Sequence, residues 1–316
     1  MKIAFIVDPL DHLKAYKDTS IAMMREAQHR GHQVFAIMRD ALVWRNGAIS
    51  ADATRIELLQ SNQVWCAVHE KLHAPLAHFD TVLMRQDPPF DFEYVAATWL
   101  LERAVEAGAR VFNDPRAIRD HSEKLAITEF PDLAPPTLVA RDARSVNAFI
   151  DDMEDVVLKP LDGMGGASIF RVRVDDPNRN VIIETLTQHG RRTLMAQRFV
   201  PGIAQGDKRI LLIGGEIVPY CLARIPKPGE TRGNLAAGGT GVAQPLSERD
   251  REIAQVLALT LHERGLLLVG IDVIGDYLTE VNVTSPTCFV EITEQTGFNV
   301  AGLFMDVLEK AVRGEE

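Results

Sequence analysis

Ile3 to Val7 is an unbroken apolar run that stops at Asp8-Pro9, and it predicts a buried strand. Thr19 or Ser20 can cap the helix that follows, whose apolar residues include Ile21, Met24 and Ala27. Gly31 stands where such a helix would end. Gln33 to Met38 and Thr81 to Met84 predict further strands. Phe92 to Ala107 predicts a strong helix closed by Gly108, and Val111-Phe112 a short strand. Strand alternating with helix predicts an α/β fold with a mainly parallel sheet.

After Asp114-Pro115 the texture changes. A helix is expected over roughly Ala117 to Phe130, and "PDLAPPT" breaks it. A short helix over Ser145 to Met153, strands at Val156–Lys159 and Ser168–Val174, a helix at Val181–His189 and a strand at Leu194–Val200 make a small α+β unit. From Lys208 strands return around Gly214-Gly215, a good hairpin turn. "PKPGETRGNLAAGGTG", residues 226 to 241, is almost free of large apolar groups and is expected to be mobile. An amphipathic helix (Ser247–Gly265), two strands and a last helix near Val300 to Val312 complete the chain. The expected division is 1–121, 122–200 and 201–316.

Composition narrows the function. The 316 residues are 46% hydrophobic and 25% charged, as in an ordinary soluble protein of about two or three domains. A net charge of −10 argues against broad nucleic-acid binding. No run of 18 apolar residues occurs, and "MKIAFIVDPL" is too short for a signal segment, so a cytoplasmic protein without a membrane partner is expected. Cys66, Cys221 and Cys288 form no CxxC pair and are expected to be reduced. Strand one ends in Asp8-Pro9 and not in a GxGxxG fingerprint. His69 to His73 matches HExxH, but Pro75 follows at once and no third ligand is evident, so zinc is rejected.

The chemistry concentrates in "GIDVIGDYLTEVNVT", residues 270 to 284. Ile271, Val273, Val281 and Val283 alternate with Asp272, Glu280 and Asn282. A hairpin with a three-residue loop at Gly275, Asp276 and Tyr277 sets Asp272 opposite Glu280 and puts the four apolar residues on the other face. Two carboxylates and an amide side by side suit a hard cation such as Mg²⁺, which completes its shell with phosphate and water; a solvated hairpin face is the plain alternative. Lys124 and Lys159 can meet phosphate oxygens, and so can the backbone of "KPLDGMGGASIF" at Gly163 to Gly166, unless that segment is only a tight turn. Arg209, Arg224 and Arg232 suit carboxylate or phosphate. Asp18, Ser20 and Arg85 fall near strand ends by pattern and are candidate substrate contacts.

Together "MRQDPPFD", "KPLDGMGGASIF", "YCLARIP", "ETRGNLAAGG" and "LTEVNVTSPT" resemble, in that order and nearly end to end, the bacterial glutathione synthetases of the ATP-grasp superfamily. The resemblance implies an ATP-grasp fold: an N-terminal parallel-sheet α/β domain and two α+β subdomains clasping ATP. It implies that Lys124 and Lys159 hold phosphates under a flap of Gly163, Met164, Gly165 and Gly166. Gln197, Phe199 and Val200 would line the adenine, and Asp207 the ribose. Asp272, Glu280 and Asn282 would bind a pair of Mg²⁺ ions, or Mn²⁺ in their place. Residues 226 to 241, with Gly238 and Gly239 near the substrates, would form a lid. Arg209, Arg224, Arg232 and Asn282 would serve the reaction. That reaction would join γ-glutamylcysteine to glycine through an acyl phosphate made from ATP, in a homo-oligomer, a tetramer by resemblance. The alternatives are another carboxylate–amine ligase of the superfamily, such as a peptide or protein glutamate ligase, and a silent nucleotide-binding protein.

Overall fold

The computed structural model describes residues 1–163, 165–235 and 238–315, so the expected contact at Met164 lies outside the described residues. Among the described residues the strands form three sheets. The first carries β1 (Lys2–Val7), β2 (Gln33–Arg45), β3 (Ala48–Leu58), β4 (Cys66–Pro75), β5 (Thr81–Met84) and β6 (Val111–Phe112), in the order β4-β3-β2-β1-β5-β6. Helices α1 (Thr19–His29), α2 (Phe92–Glu106) and α3 (Pro115–Asp120) accompany it. Strands β1, β2, β5 and β6 pair in parallel, while β3 and β4 add as an antiparallel extension. Ile3, Phe5 and Val7 pack to one side of β1, Ala4 and Ile6 to the other, as a strand covered on both faces requires.

The extension departs from expectation. β2 runs on past Met38 to Arg45, and β3 and β4 were not anticipated. β3 buries Ile49, Ala51, Ala53, Ile56 and Leu58, two of them alanines, and β4 is largely exposed, so the apolar signal there is thin. The HExxH residues lie on β4, where His69 faces Glu57 at 2.6 Å and His73 faces Asp52 at 2.7 Å. At α1 the cap is Asp18 and not Thr19 or Ser20; its Oδ1 accepts from Ile21 N–H at 2.8 Å.

The second sheet contains β7 (Thr137–Ala140), β8 (Asp155–Pro160), β9 (Phe170–Arg173) and β10 (Leu194–Arg198), in the order β7-β10-β8-β9. It packs on α4 (Ala143–Met153) and α5 (Arg179–Thr187) through Val146, Ile150, Val156, Leu158 and Ile183. The third sheet contains β11 (Asp207–Ile213), β12 (Glu216–Ile225), β13 (Thr240–Pro245), β14 (Leu268–Ile274) and β15 (Tyr277–Asn282), in the order β13-β12-β11-β14-β15. Helices α6 (Glu248–Glu263), α7 (Phe289–Thr296) and α8 (Val300–Arg313) surround it. The third sheet shares both large cores with the first, so these two parts of the molecule are packed together.

Two further expectations are corrected. The helix expected over 117–130 is α3, then a break at 121–124, then a short 3-10 helix at Leu125–Glu129. Lys124 therefore stands at a break and not on an α-helix. The break has a cause: Glu123 O accepts from Val281 N–H at 2.9 Å, which draws the chain onto the edge of β15. The β14–β15 hairpin has Asp272 opposite Glu280, but through a two-residue turn, Gly275-Asp276, and not the three-residue loop. A bulge between Asp272 and Val273 supplies the missing residue, and Thr279 Oγ1 donates to Asp272 O at 3.1 Å. Ile271, Val273, Val281 and Val283 are all fully buried. No helix among the described residues is long and apolar enough to cross a membrane.

Candidate active site

A cavity of about 520 Å³ opens where the three sheets meet. Its floor is one face of the third sheet. Arg209 on β11 pairs with Asp272 on β14, which pairs with Glu280 on β15. Cross-strand partners project to the same side, so three strands present a charged row to the cavity. Arg209 grips Asp272 with two bonds, Nε to Oδ1 at 2.5 Å and Nη2 to Oδ2 at 3.0 Å. Arg224 Nη2 bridges Asp272 Oδ2 at 2.9 Å and Asp207 Oδ2 at 2.6 Å.

Burial pushes the Asp272 carboxyl up, but Arg209 and Arg224 outweigh it and hold the group well below the usual carboxylate range. Asp207 goes the other way. Burial, opposed by Arg224 and reinforced by Asp272, pushes it up to about 6. Its Oδ1 is buried without a hydrogen-bond partner.

Lys124 Nζ lies 3.0 Å from Glu280 Oε1 and donates to Gly163 O at 2.6 Å, so it ties the acidic hairpin to the glycine loop. Burial would lower its pKa, but Glu280 raises it above the usual lysine value. Lys159, 8% exposed near the end of β8, has no carboxylate within ion-pair distance among the described residues. Burial lowers its pKa against the pull of Glu280. Gly163, Gly165 and Gly166 line the cavity, with Gly165 and Gly166 at φ +63° and +80°. A Cβ at Gly166 would stand 2.7 Å from Asn234 Oδ1 and 3.2 Å from Arg232 Cδ, so the glycine loop and residues 232–234 are in contact.

Gln197, Phe199 and Val200 line the wall formed by the second sheet. Gln197 Nε2 donates to Thr137 Oγ1 at 3.1 Å, and Phe199 N–H to Asp155 O at 2.9 Å. The Arg171 guanidinium stacks 3.6 Å from the Phe199 ring centre. Arg232 lines the cavity but pairs with Glu230 at 3.1 Å. Gly238 and Gly239 are not brought to the cavity: Gly238 packs against Lys227, and Gly239 against the carbonyls of Gly233 and Ile225.

Asp272, Glu280 and Asn282 offer oxygen donors from two adjacent strands. Asn282 Nδ2 donates to Gly270 O at 3.0 Å, which settles the amide's orientation. No three His, Cys, Asp or Glu side chains among the described residues are grouped to hold a metal by themselves. Two carboxylates and an amide oxygen on adjacent strands fit a hard divalent cation whose shell phosphate and water complete.

The far end of the cavity lies on the first sheet. Arg85, 6% exposed, donates from Nε to Ser20 Oγ at 3.1 Å and from Nη2 to Pro286 O at 2.8 Å, while its Nη1 is buried without a partner. Asp18 borders the same space. Three residues here escaped the sequence reading. Asp87 accepts from Ser285 Oγ at 2.5 Å, Glu291 has a buried and unpartnered Oε2, and Glu123 accepts from Val283, Thr284 and the Thr284 hydroxyl. Burial raises the pKa of Asp18, Asp87, Glu123 and Glu291 alike. Asp87 was within reach of the sequence, since it belongs to "RQDPPF".

Two antiparallel sheets facing each other across a cavity of lysines, arginines and carboxylates define the ATP-grasp class. Residues 1–119 match the model of the prokaryotic glutathione synthetase N-terminal domain, and residues 123–297 that of the prokaryotic glutathione synthetase ATP-grasp domain. The chain belongs to the prokaryotic glutathione synthetase family. It is 59% identical to the glutathione synthetase of Ralstonia nicotianae over 311 residues, 98% of this chain and 96% of that protein. It is 60% identical to that of Bordetella parapertussis over 316 residues, 98% of this chain and 99% of that protein. Among solved structures, the D-cycloserine synthetase DcsG aligns with a TM-score of 0.68 at 14% identity, covering 98% of this chain and 99% of that one, a likeness of fold alone.

Proposed function

We propose that this chain is an ATP-dependent ligase that joins γ-glutamylcysteine to glycine and releases ADP and phosphate. The observation that carries this reading is the 59–60% identity over nearly the whole chain with named glutathione synthetases, and the Lys124 bridge between Glu280 and Gly163 accords with it. The Lys124 ammonium lies between the acidic hairpin and the glycine loop, where the phosphates of ATP would enter.

The cysteinyl carboxylate attacks the γ-phosphorus of ATP, giving an acyl phosphate and ADP. The glycine amine then attacks the acyl carbon, phosphate leaves, and the amine gives up a proton. Negative charge gathers on the transferring group, and Lys124, Lys159, Arg209 and Arg224 stand around the site to offset it. Gly163, Gly165 and Gly166 cover the phosphates with backbone N–H groups. Gln197, Phe199 and Val200 hold the adenine, and the unpartnered Asp207 Oδ1 accepts from the ribose. Asp272, Glu280 and Asn282 would hold a pair of Mg²⁺ ions, which would supply positive charge against the phosphates. The lid at 226–241, which includes Arg232 and of which residues 236–237 lie outside the described residues, closes over the acyl phosphate and keeps water from it. Asp18, Ser20 and Arg85 receive the γ-glutamyl end. The division at 121 and 200, the cytoplasmic setting and a homotetrameric assembly belong to the same proposal and rest on the resemblance.

The test is phosphate release from ATP and Mg²⁺ with γ-glutamylcysteine, with and without glycine. Release that needs both substrates, with glutathione formed in equal amount, is expected. Release with a different acid and amine would move the chain to another carboxylate–amine ligase.

A further inference from the structure

β15 is the outermost strand of the third sheet, and the linker at 121–133 covers its free edge. Leu278 N–H donates to Leu133 O at 2.8 Å and Val281 N–H to Glu123 O at 2.9 Å. Glu123 then adds its side chain. Its Oε1 accepts from Val283 N–H at 3.0 Å, Thr284 N–H at 3.1 Å and Thr284 Oγ1 at 2.8 Å. Four hydrogen bonds thus fix this one residue along β15 and its continuation.

The next residue is Lys124. A lysine ammonium on a four-carbon stem is loosely held unless its backbone is fixed. Here α3 has ended at Asp120 and the 3-10 helix begins only at Leu125, so regular structure does not hold Lys124. The Glu123 bonds do. They set Lys124 in register with Glu280 on the same strand, within 3.0 Å, with Gly163 O at 2.6 Å.

We infer that Glu123 is a positioning residue: its carboxylate pins the linker to Val283 and Thr284, just past the end of β15, so that the Lys124 ammonium reaches the nucleotide's phosphates. This rests on the reading of Lys124 as a phosphate ligand. The same oxygen holds Thr284, whose neighbours Ser285 and Pro286 bond to Asp87 and Arg85, so one residue steadies both ends of the cavity.

The test is a double-mutant cycle read by calorimetric titration with ATP and Mg²⁺, with melting temperatures as a control on folding. Lys124→Met weakens ATP binding. Glu123→Ala weakens it about tenfold in the wild-type background and adds nothing to Lys124→Met, because both changes remove one interaction. Glu123→Gln keeps an acceptor oxygen and stays within roughly threefold of wild type. Thr284→Val, which removes a single hydroxyl donor, causes a smaller loss that is again absent beside Lys124→Met, and it serves if Glu123→Ala fails to fold.

Additive losses would overturn the inference and leave the role of Lys124 standing. So would unchanged ATP affinity in Glu123→Ala, or Glu123→Gln as impaired as Glu123→Ala. Unchanged affinity in Lys124→Met would instead overturn the reading of Lys124, and the inference with it.

Discussion

At the hairpin end of the cavity, Asp272 is held by Arg209 and Arg224, and Glu280 by Lys124. At the β1 end, Arg85 Nη1 and Glu291 Oε2 are buried with no partner, and Asp18 and Asp87 have raised pKa values. The hairpin carboxylates have their cations in place, although Lys159 and Asp207 Oδ1 beside them have no such partner; at the β1 end neither Arg85 Nη1 nor Glu291 Oε2 has one. Burying an unpaired charge costs several kcal/mol, so a fold tolerates it where a ligand brings the missing charge. A metal entering at the hairpin as proposed must displace those cations from the carboxylates, and the phosphates must draw the cations to themselves. A buried guanidinium beside buried carboxylates suits a ligand that carries both a carboxylate and an ammonium, as the γ-glutamyl end does.

The comparison breaks most sharply at Glu280. Glu280→Gln removes the charge that a hard cation needs but keeps the shape of the hairpin. Turnover dependent on Mg²⁺ should fall on the order of 100- to 1,000-fold, while thermal unfolding shows an intact fold. Near-normal turnover would remove the metal from this end.

Arg85 tests the other end. Arg85→Met keeps the apolar stem and removes the unpartnered nitrogen together with its bonds to Ser20 and Pro286. The KM for γ-glutamylcysteine should rise roughly 30- to 100-fold, about 2–3 kcal/mol, and the ATP affinity should hold. A loss shared equally by both substrates would erase the distinction between the ends.

Asp207 sharpens it further, because this carboxyl has one partnered and one free oxygen. Its pKa, raised to about 6, means that the folded protein favours the protonated form; the corresponding stabilisation is full below the ordinary value near 4 and fades as pH rises through about 6. Ribose hydroxyls donate best to the ionised form, so ATP affinity should fall about tenfold from pH 7 to pH 5 as that form is lost. Asp207→Asn should flatten the profile. A profile unchanged by the substitution would assign the titration to another group.

What the sequence could and could not convey follows from the range of each interaction. The pairing of Asp272 with Glu280 was legible because alternation fixes which side chains share a face. The turn was not. A two-residue turn plus a bulge gives the same phase beyond the bulge as a three-residue loop, and only the backbone distinguishes them. Lys124 was recognisable as a candidate, but the break beneath it was not, since its cause is a bond to Val281 far along the chain. Glu123 carried no signal at all, because its partners Val283 and Thr284 lie 160 and 161 residues away along the chain. Glu291 likewise reads as an ordinary acid in the first turn of α7.

The smallest effect belongs to the contact that roofs the hairpin end. Gly166 has φ +80°, and an added Cβ would meet Asn234 Oδ1 at 2.7 Å. Gly166→Ala therefore carries a local conformational cost of roughly 1–2 kcal/mol and pushes the glycine loop away from residues 232–234. With the loop over the phosphates as proposed, the KM for ATP should rise a few-fold, a fraction of that cost. The KM for γ-glutamylcysteine should stay put, since Arg85 and Asp18 are untouched. Hydrogen exchange would read the same event directly, with faster exchange expected at residues 165–167 and 232–235 together. Faster exchange at one segment alone would show that the two do not move as a pair, and the roof would then be two independent loops.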